Sequence, residues 1–313
     1  MKKQVDNLDY LDPDVAYLLG MILARGEFHV DGDIRRLVIT FPYRSTTVAG
    51  STEKQDRETA IRLGLDEIRD RVQELLETTV QVDRGDHEVT LRVVFPRHTI
   101  GWRDLRYLTG NRANYTEFEL LDFLYDVDRD IQVELLRGFA DAASEPSPAD
   151  RNQAGRHRVV LQVQFGNWRL PIQLCRLLQT RLGVPVSHIL WGHPNLRAPD
   201  GGSGWTKETR IRIWVDDFRA IGYYFKYKQD VFEELVRENE RPGGSTGKPC
   251  NPKAKRIERA RRKPPHLDEA DPRLPPVLCG HHFDGYFQIC QAMGCRQGRK
   301  PPQLEIFDDD DIA

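Results

Sequence analysis

The sequence predicts an α+β protein that contains two similar halves, each with the element order αββαββα. Apolar residues recur at helical spacing in some segments and at alternate positions in others, which predicts both helices and strands. The element order predicted for residues 1–115 recurs in residues 116–240, at an offset of about 118 residues. The length of 313 residues agrees with about two such units.

The first half opens with an amphipathic helix. Its apolar stripe predicts a helix over Asp14–Leu23, with Asp12 as the N-cap and Pro13 in the first turn. The Asp-Gly pair at Asp31–Gly32 predicts a hairpin turn between two strands. The elements predicted after the first helix are the strands Glu27–Val30 and Arg35–Phe41, the helix Glu58–Glu77, the strands Thr79–Asp83 and Glu88–Phe95, and the helix His98–Leu108.

The second half repeats this order. The helix Trp168–Leu182 is predicted to end at Gly183, because glycine is favoured just after a helix C-terminus. The elements predicted here are the helix Asp130–Ala143, the strand Arg158–Phe165, the helix Trp168–Leu182, the strands Val186–Trp191 and Thr209–Val215, and the helices Asp216–Gly222 and Asp230–Glu238.

The composition changes beyond residue 240. Residues 241–270 are rich in Pro, Gly, Lys and Arg and predict a basic linker. Residues 271–313 are predicted to be a small C-terminal region whose acidic tail, Asp308–Asp311, is solvated. Four side chains of this region could bind a tetrahedral zinc ion: Cys279, His282, Cys290 and Cys295. The alternative is that the thiols are reduced and buried, as in a short amphipathic helix.

The opening helices of the two halves end in related strings. The first reads Leu-Leu-Gly-Met-Ile-Leu-Ala-Arg-Gly-Glu at 18–27, and the second reads Leu-Arg-Gly-Phe-Ala-Asp-Ala-Ala-Ser-Glu at 136–145. Both resemble the LAGLIDADG motif of homing endonucleases and intein endonuclease domains. The segments 177–184 and 218–228 also resemble parts of that family, so the likeness covers about residues 14–238.

The resemblance implies a fold and a mode of action. In this family the two motif helices pack together along a pseudo-two-fold axis, where small residues such as Gly20 and Gly138 permit close approach. The strands after each helix form a curved antiparallel sheet that lies in the major groove of double-stranded DNA. An acidic residue at the bottom of each helix binds a divalent ion, Mg²⁺, beside the scissile phosphate.

This sequence departs from the family at those acidic positions. The family acids fall five residues after each helix glycine, where this chain has Arg25 and Ala143. Neither side chain can bind Mg²⁺, so the sequence favours the loss of cleavage with DNA binding retained. Splicing maturases and bacterial transcription regulators are degenerate relatives of this kind.

A relocated metal site is the competing hypothesis. Glu27 and Glu145 lie seven residues after the two helix glycines, at symmetric positions, and their side chains could reach a Mg²⁺ ion. Asp141 matches an earlier acid of the motif that is mainly structural in the family. Lys228 is a candidate for a positive charge near the scissile phosphate. The alternative for both glutamates is a plain solvated position at the start of a strand or in a loop.

The predicted strands carry the candidate DNA-binding side chains. Alternation places every second side chain on one face of a sheet, where Arg can bind guanine edges, Gln can bind adenine edges, and Lys and Arg can neutralise phosphates. The alternative is that these polar residues form the ordinary solvated face of a half-buried sheet. The candidates are Arg35, Arg36, Arg44, Arg92, Arg156, Arg158, Gln162, Gln164, Lys207, Arg210 and Arg212.

The sequence therefore predicts sequence-specific binding of double-stranded DNA by a monomer, with Mg²⁺-dependent cleavage only if Glu27 and Glu145 rebuild the metal site. An RNA-binding, maturase-like factor or a regulator without cleavage are the alternatives. No apolar run approaches the roughly 18 residues of a membrane helix, and no apolar segment follows the first residues, so we expect an intracellular protein. Motifs of nucleotide-binding loops and of serine hydrolases are absent.

Overall fold

A computed structural model describes residues 10–42, 57–86, 88–148, 157–164, 167, 169–186, 188–191, 208–240 and 277–280. In the first half, the elements are α1 (Pro13–Arg25), β1 (Gly26–Asp31), β2 (Ile34–Pro42), α2 (Arg57–Leu76), β3 (Val80–Arg84), β4 (Glu88–Phe95) and α3 (Ile100–Leu108). The four strands form one antiparallel sheet, the first sheet, in the order β1-β2-β4-β3.

The second half follows the same plan. After a 3-10 turn at Asp122–Tyr125, its elements are α4 (Arg129–Ala143), β5 (Ser144–Ser147), β6 (Arg158–Gln164), α5 (Arg169–Arg176), β7 (His188–Trp191), β8 (Glu208–Trp214) and α6 (Lys226–Glu240). Strands β5-β6-β8-β7 form the antiparallel part of the second sheet, in that order. The duplicated αββαββα order that the sequence predicts is confirmed, although β5 is not among the strands located from the sequence.

A fifth strand, β9 (Val277–Gly280), extends the second sheet. It pairs in parallel with β7, with Ile189 opposite Leu278 and Leu190 opposite Cys279. The sequence predicts a separate C-terminal region for these residues, but the described part of that region pairs with the second sheet. A strand of four residues has too short a pattern to be recognised in the sequence.

Three local predictions can be compared with the structure. The N-cap of α1 is confirmed, because the Asp12 carboxylate accepts a hydrogen bond of 2.8 Å from the Val15 backbone nitrogen. Gly183 follows a π-helical turn, Leu177–Leu182, and its φ of 67° suits glycine. The helix predicted over Asp216–Gly222 is only a 3-10 turn, Asp217–Ala220. Gly222 lies two residues after this turn and has a φ of 62°.

The two opening helices cross at the centre of the molecule. A methyl group at Gly20 would overlap the Leu135 carbonyl oxygen and lie 2.7 Å from the Phe139 nitrogen. A methyl group at Gly138 would likewise overlap the Tyr17 carbonyl oxygen. Only glycine therefore permits the observed approach of the two backbones. The crossing joins the two halves, since the buried residues of both helices belong to one apolar core.

Each sheet starts directly at the end of one of these helices. Residue Gly26 begins β1 right after α1, and Ser144 begins β5 right after α4. The inner face of the first sheet is apolar and buried, as at Leu37, Ile39 and Phe41 of β2. The opposite face of that sheet carries the polar alternate residues. None of the helices in the described part of the chain has the length and apolar composition needed to span a bilayer.

Candidate functional site

The ends of α1 and α4 occupy the place where the family resemblance implies two metal-binding acids. Arg25 ends α1 and is only 6% exposed. One of its guanidinium nitrogens lies 3.5 Å from Oε1 of Gln162 in the second half, and the group lies 5.9 Å from the Tyr115 ring centroid. Ala143 ends α4 and is fully buried. The helix ends thus present a cation and a methyl group, which do not fit a Mg²⁺ ion.

Asp141 lies two residues before the end of α4 and is fully buried. Its Oδ2 accepts hydrogen bonds from the Tyr17 hydroxyl at 2.8 Å and the Tyr224 backbone nitrogen at 3.0 Å. Its Oδ1 accepts one from the Phe225 nitrogen at 3.3 Å. Burial raises the pKa of this carboxyl to about 6, although Lys228 and the three donors oppose the shift. Asp141 therefore ties α1, α4 and the segment before α6 together.

Lys228 lies beneath the end of α4 and is 1% exposed. Its ammonium group donates hydrogen bonds to the carbonyl oxygens of Ala140 at 3.1 Å, Asp141 at 2.6 Å and Ser144 at 2.9 Å. A cation is favoured at a helix C-terminus, where carbonyls lack helical partners. Burial lowers the pKa of Lys228 to about 8, against the attraction of Asp141 and Glu145. All three ammonium protons are used, so the structure assigns Lys228 a capping position and leaves it no donor for a phosphate.

Glu27 and Glu145 occupy equivalent positions in the two sheets. Each is the second residue of its strand, and they pair with Val38 of β2 and Val160 of β6 respectively. The Glu27 carboxylate lies 3.4 Å from Nε2 of His29 and is 41% exposed. No group of three or more His, Cys, Asp or Glu side chains within the described ranges is arranged to hold a metal ion.

In each sheet, the residues paired with one another form a row that starts at the glutamate and crosses the strands. In the first sheet the row runs from Glu27 through Val38 and Arg92 to Gln81. In the second sheet the row runs from Glu145 through Val160 and Arg212 to His188. Because paired residues of antiparallel strands lie on the same face, each sheet has an acid, a valine and an arginine across it. The pseudo-symmetry therefore extends from the helices to individual side chains.

The polar face of the first sheet is half-buried and holds two arginines. Arg36 lies 3.4 Å from Asp31, and Arg92 lies 3.1 Å from Asp83. Such exposed pairs are worth only about 0.2–1 kcal/mol each. The arginines are therefore held in place loosely and can exchange these acids for another partner.

The equivalent face of the second sheet is buried along β6 and half-buried along β8. Arg158 is 3% exposed and Gln162 is 4% exposed, whereas Arg36, which corresponds to Arg158, has a side chain that is 39% exposed. Arg210 and Arg212 of β8 are half-buried on the same face. The two sheets thus share a register, but β6 is more buried than β2.

The other predicted contact residues are placed as follows. Arg35 lies on the alternate face of β2 from Arg36, and its guanidinium donates to the Gly32 carbonyl oxygen at 2.7 Å, within the hairpin turn. The backbone of Gln164 pairs with Glu208, and Cys279 is part of β9. The predicted residues outside the described ranges are Arg44, Arg156, Lys207, His282, Cys290 and Cys295.

Sequence reasoning missed two features of this site. The first is the contact between Arg25 and Gln162, which belong to different halves and have no local pattern that relates them. The second is the capping position of Lys228. Its spacing from Asp141 in the sequence says nothing of their proximity, and no local pattern indicates the burial of Lys228, since lysine is rarely buried.

Comparison with solved structures finds homing endonucleases and a related protein. The chain is 18% identical to mesophilic variants of the homing endonuclease I-DmoI, over 68% of this chain and 89% of that one, with a TM-score of 0.36. It is 14% identical to full-length DUF199/WhiA from Thermatoga maritima, over 80% and 66% of the two chains, with a TM-score of 0.40.

A third similar structure is the homing endonuclease I-WcaI bound to its DNA recognition sequence. The identity is 13%, the match covers 78% of this chain and 92% of that one, and the TM-score is 0.39. The chain matches no protein-family model and no curated protein sequence. Homing endonucleases are among the structures that this chain resembles, as the two helix motifs predict.

Proposed function

We propose that this protein binds double-stranded DNA in a sequence-specific manner through the polar faces of its two sheets, and that it does not cleave the DNA at the ends of α1 and α4. The observation that carries the proposal is the pair of matched rows, in which Arg92 and Arg212 occupy equivalent positions of two sheets related by the crossing helices. A duplex also has local two-fold symmetry, so two matched surfaces suit two half-sites.

The side chains of these faces suit the reading of bases. An arginine can donate two hydrogen bonds to a guanine edge in the major groove, and a good bidentate contact discriminates by about 1–3 kcal/mol. The ion pairs of Arg36 and Arg92 with acids on the first sheet are exposed and weak, so a guanine edge can replace the acid. The acids also disfavour close phosphates, which supports base contacts rather than backbone contacts at this sheet.

The helix ends support binding without cleavage. Metal-assisted cleavage needs carboxylate oxygens around a hard divalent ion, whereas α1 ends in Arg25 and α4 ends in Ala143. The alternative, a Mg²⁺ site rebuilt from Glu27 and Glu145, receives no support from the pairing of Glu27 with His29. Because one chain supplies both halves, we infer that a monomer is sufficient for binding.

Alanine substitutions in the two rows test the proposal. The measurement is the Kd of Arg92→Ala and Arg212→Ala for a duplex selected from a randomised library, with an RNA of the same sequence as competitor. Each change is expected to weaken binding by about 5- to 150-fold and to relax specificity at one base pair. Arg103→Ala is the control, because Arg103 has the same charge and is 74% exposed on α3. Equal effects of all three changes would contradict base reading, and stronger binding of the RNA would contradict DNA as the partner.

A further inference from the structure

The polar face of the first sheet carries two exposed apolar side chains at one end. Ile34 of β2 is 49% exposed and Val94 of β4 is 38% exposed. Val94 pairs with Arg36 and lies on the same face as Arg92, because alternate residues of a strand share a face. Ile34 is a diagonal neighbour of Val94, and such neighbours lie about 7–8 Å apart. The two side chains therefore form a small apolar patch beside the arginines of this face.

The apolar patch lies away from the crossing of α1 and α4. Strand β1 leaves the end of α1 at Gly26 and reaches the hairpin turn after Asp31. The row that joins His29, Arg36 and Val94 is two residues closer to that turn than the row that starts at Glu27. Two residues of an antiparallel strand span about 7 Å, which equals the rise of about two base pairs of duplex DNA.

The second sheet has a different residue at the equivalent place. Trp214 of β8 pairs with Arg158, as Val94 pairs with Arg36 in the first sheet. Trp214 is half-buried, and its indole is a large ring with a hydrogen-bond donor. The two sheets therefore match in the rows that start at the glutamates and differ in the next row towards the turn.

We infer that Val94, with Ile34 beside it, recognises the methyl group of a thymine in the half-site that the first sheet binds. Thymine is the only one of the four bases that presents a methyl group in the major groove. Valine and isoleucine side chains have no hydrogen-bond donor or acceptor, so they can discriminate bases only by an apolar contact. Removal of one methyl group from water contributes about fourfold to the affinity.

This inference rests on the proposed DNA binding and adds a base to its target. The methyl contact lies about two base pairs further from the centre of the target than the contact of Arg92. Because the second sheet has Trp214 at the equivalent place, thymine is selected there in one half-site only. The two half-sites therefore differ at this position, although the arginine rows of the two sheets match.

Strand propensity is the other reason for a β-branched residue on an exposed strand. Valine and isoleucine are favoured in strands generally, and Val30 of β1 is 63% exposed on the other face of the same hairpin. Val30→Ala therefore removes the same atoms as Val94→Ala, but on the face that does not carry Arg92. It is the matched control for a contact with DNA.

The test compares duplexes that differ by a single methyl group. The parent duplex is the sequence that the full-length protein enriches from a randomised library. Each thymine in turn is replaced by deoxyuridine, which pairs with adenine in the same way but lacks the methyl group. The Kd for each duplex is measured for the wild type, Val94→Ala, Ile34→Ala and Val30→Ala. The three positions are exposed, so the substitutions are expected to leave the fold intact.

One thymine is expected to be sensitive, about two base pairs outside the position that Arg92→Ala relaxes. Deoxyuridine at this thymine is expected to weaken binding by the wild type about fourfold. Val94→Ala is expected to weaken binding of the parent duplex by a similar factor and to abolish the effect of deoxyuridine, because the methyl group has then lost its partner. Ile34→Ala is expected to reduce the deoxyuridine effect in part, and Val30→Ala to leave it unchanged.

An equal deoxyuridine effect in the wild type and in Val94→Ala at every thymine would overturn the inference. An effect of Val30→Ala as large as that of Val94→Ala would overturn it as well, and so would an enriched sequence without thymine in either half-site. In these three outcomes a duplex is still bound, so the proposed DNA binding stands. If no duplex is enriched at all, the proposed DNA binding fails and the inference fails with it.

Discussion

Gly138→Ala is the substitution that most directly probes the crossing of the two halves. An added methyl group would overlap the Tyr17 carbonyl oxygen and lie 2.8 Å from its carbonyl carbon. Both atoms belong to helix backbone, so neither can rotate away. Ordinary contacts of this kind are about 3.5–4 Å, and the helices must therefore separate by more than about 1 Å.

The loss of stability follows from three contributions. Overpacking of a well-packed core costs about 1–3 kcal/mol. Separation of the helices also strains the buried 2.8 Å hydrogen bond from the Tyr17 hydroxyl to Asp141, and leaving such a group unsatisfied costs about 1–3 kcal/mol. Alanine is favoured over glycine in a helix by about 1 kcal/mol, which offsets part of the loss. The free energy of unfolding is expected to fall by about 2–4 kcal/mol.

Urea unfolding followed by circular dichroism measures this change, with a lower midpoint and an unchanged m value. Gly101→Ala in α3 is the matched control, because a methyl group there would lie 3.6 Å from Leu76 Cδ2 and 3.8 Å from Phe95 Cε1, which are ordinary contacts. That variant is expected to be as stable as the wild type or slightly more stable. If Gly138→Ala were as stable as Gly101→Ala, close packing at the crossing would not hold the halves together.

Three other predictions concern the polar groups near the helix ends. Lys228→Met removes three hydrogen bonds to backbone carbonyl oxygens, so the free energy of unfolding should fall by about 2–4 kcal/mol. The Kd of the folded variant for DNA should change less than threefold. A larger loss of affinity would show that Lys228 contacts DNA. Burial raises the pKa of Asp141 from 3.8 to about 6. Its contribution to stability is therefore full below pH 3.8 and is lost as the pH rises through about 6. The free energy of unfolding of the wild type, relative to that of Asp141→Asn, should fall over that pH range. An advantage over the Asn variant that grew with pH would reverse the sign and refute this account. Glu27→Gln combined with Glu145→Gln should leave DNA affinity largely intact and remove any Mg²⁺-dependent cleavage, and cleavage that survived both changes would exclude these acids.

The duplicated fold was largely predictable because it depends on local patterns. The N-cap at Asp12, the hairpin at Gly32 and the glycine at position 183 each have short-range sequence determinants, and the structure has them where predicted. The close approach at Gly20 and Gly138 was also foreseen, because the family resemblance pairs these two helices.

The features that were not predictable depend on contacts between distant segments. Lys228 meets the end of α4, some 84–88 residues away in the chain, and no periodicity relates the two. Arg25 meets Gln162 across the two halves in the same way. The burial of Arg158 contradicts its polar character, and only the folded chain shows that it is more buried than Arg36, its equivalent in the first sheet.

A selection from a randomised duplex DNA library tests the central claim most directly. The protein is incubated with the library in Mg²⁺ and, separately, in EDTA, and both bound and cut DNA are recovered from the same tube and sequenced. We expect one enriched sequence with two half-sites in the bound fraction under both conditions, and no cut products. Cut products that require Mg²⁺ would contradict the loss of cleavage at Arg25 and Ala143, and the absence of any enriched sequence would contradict DNA recognition by the two sheets.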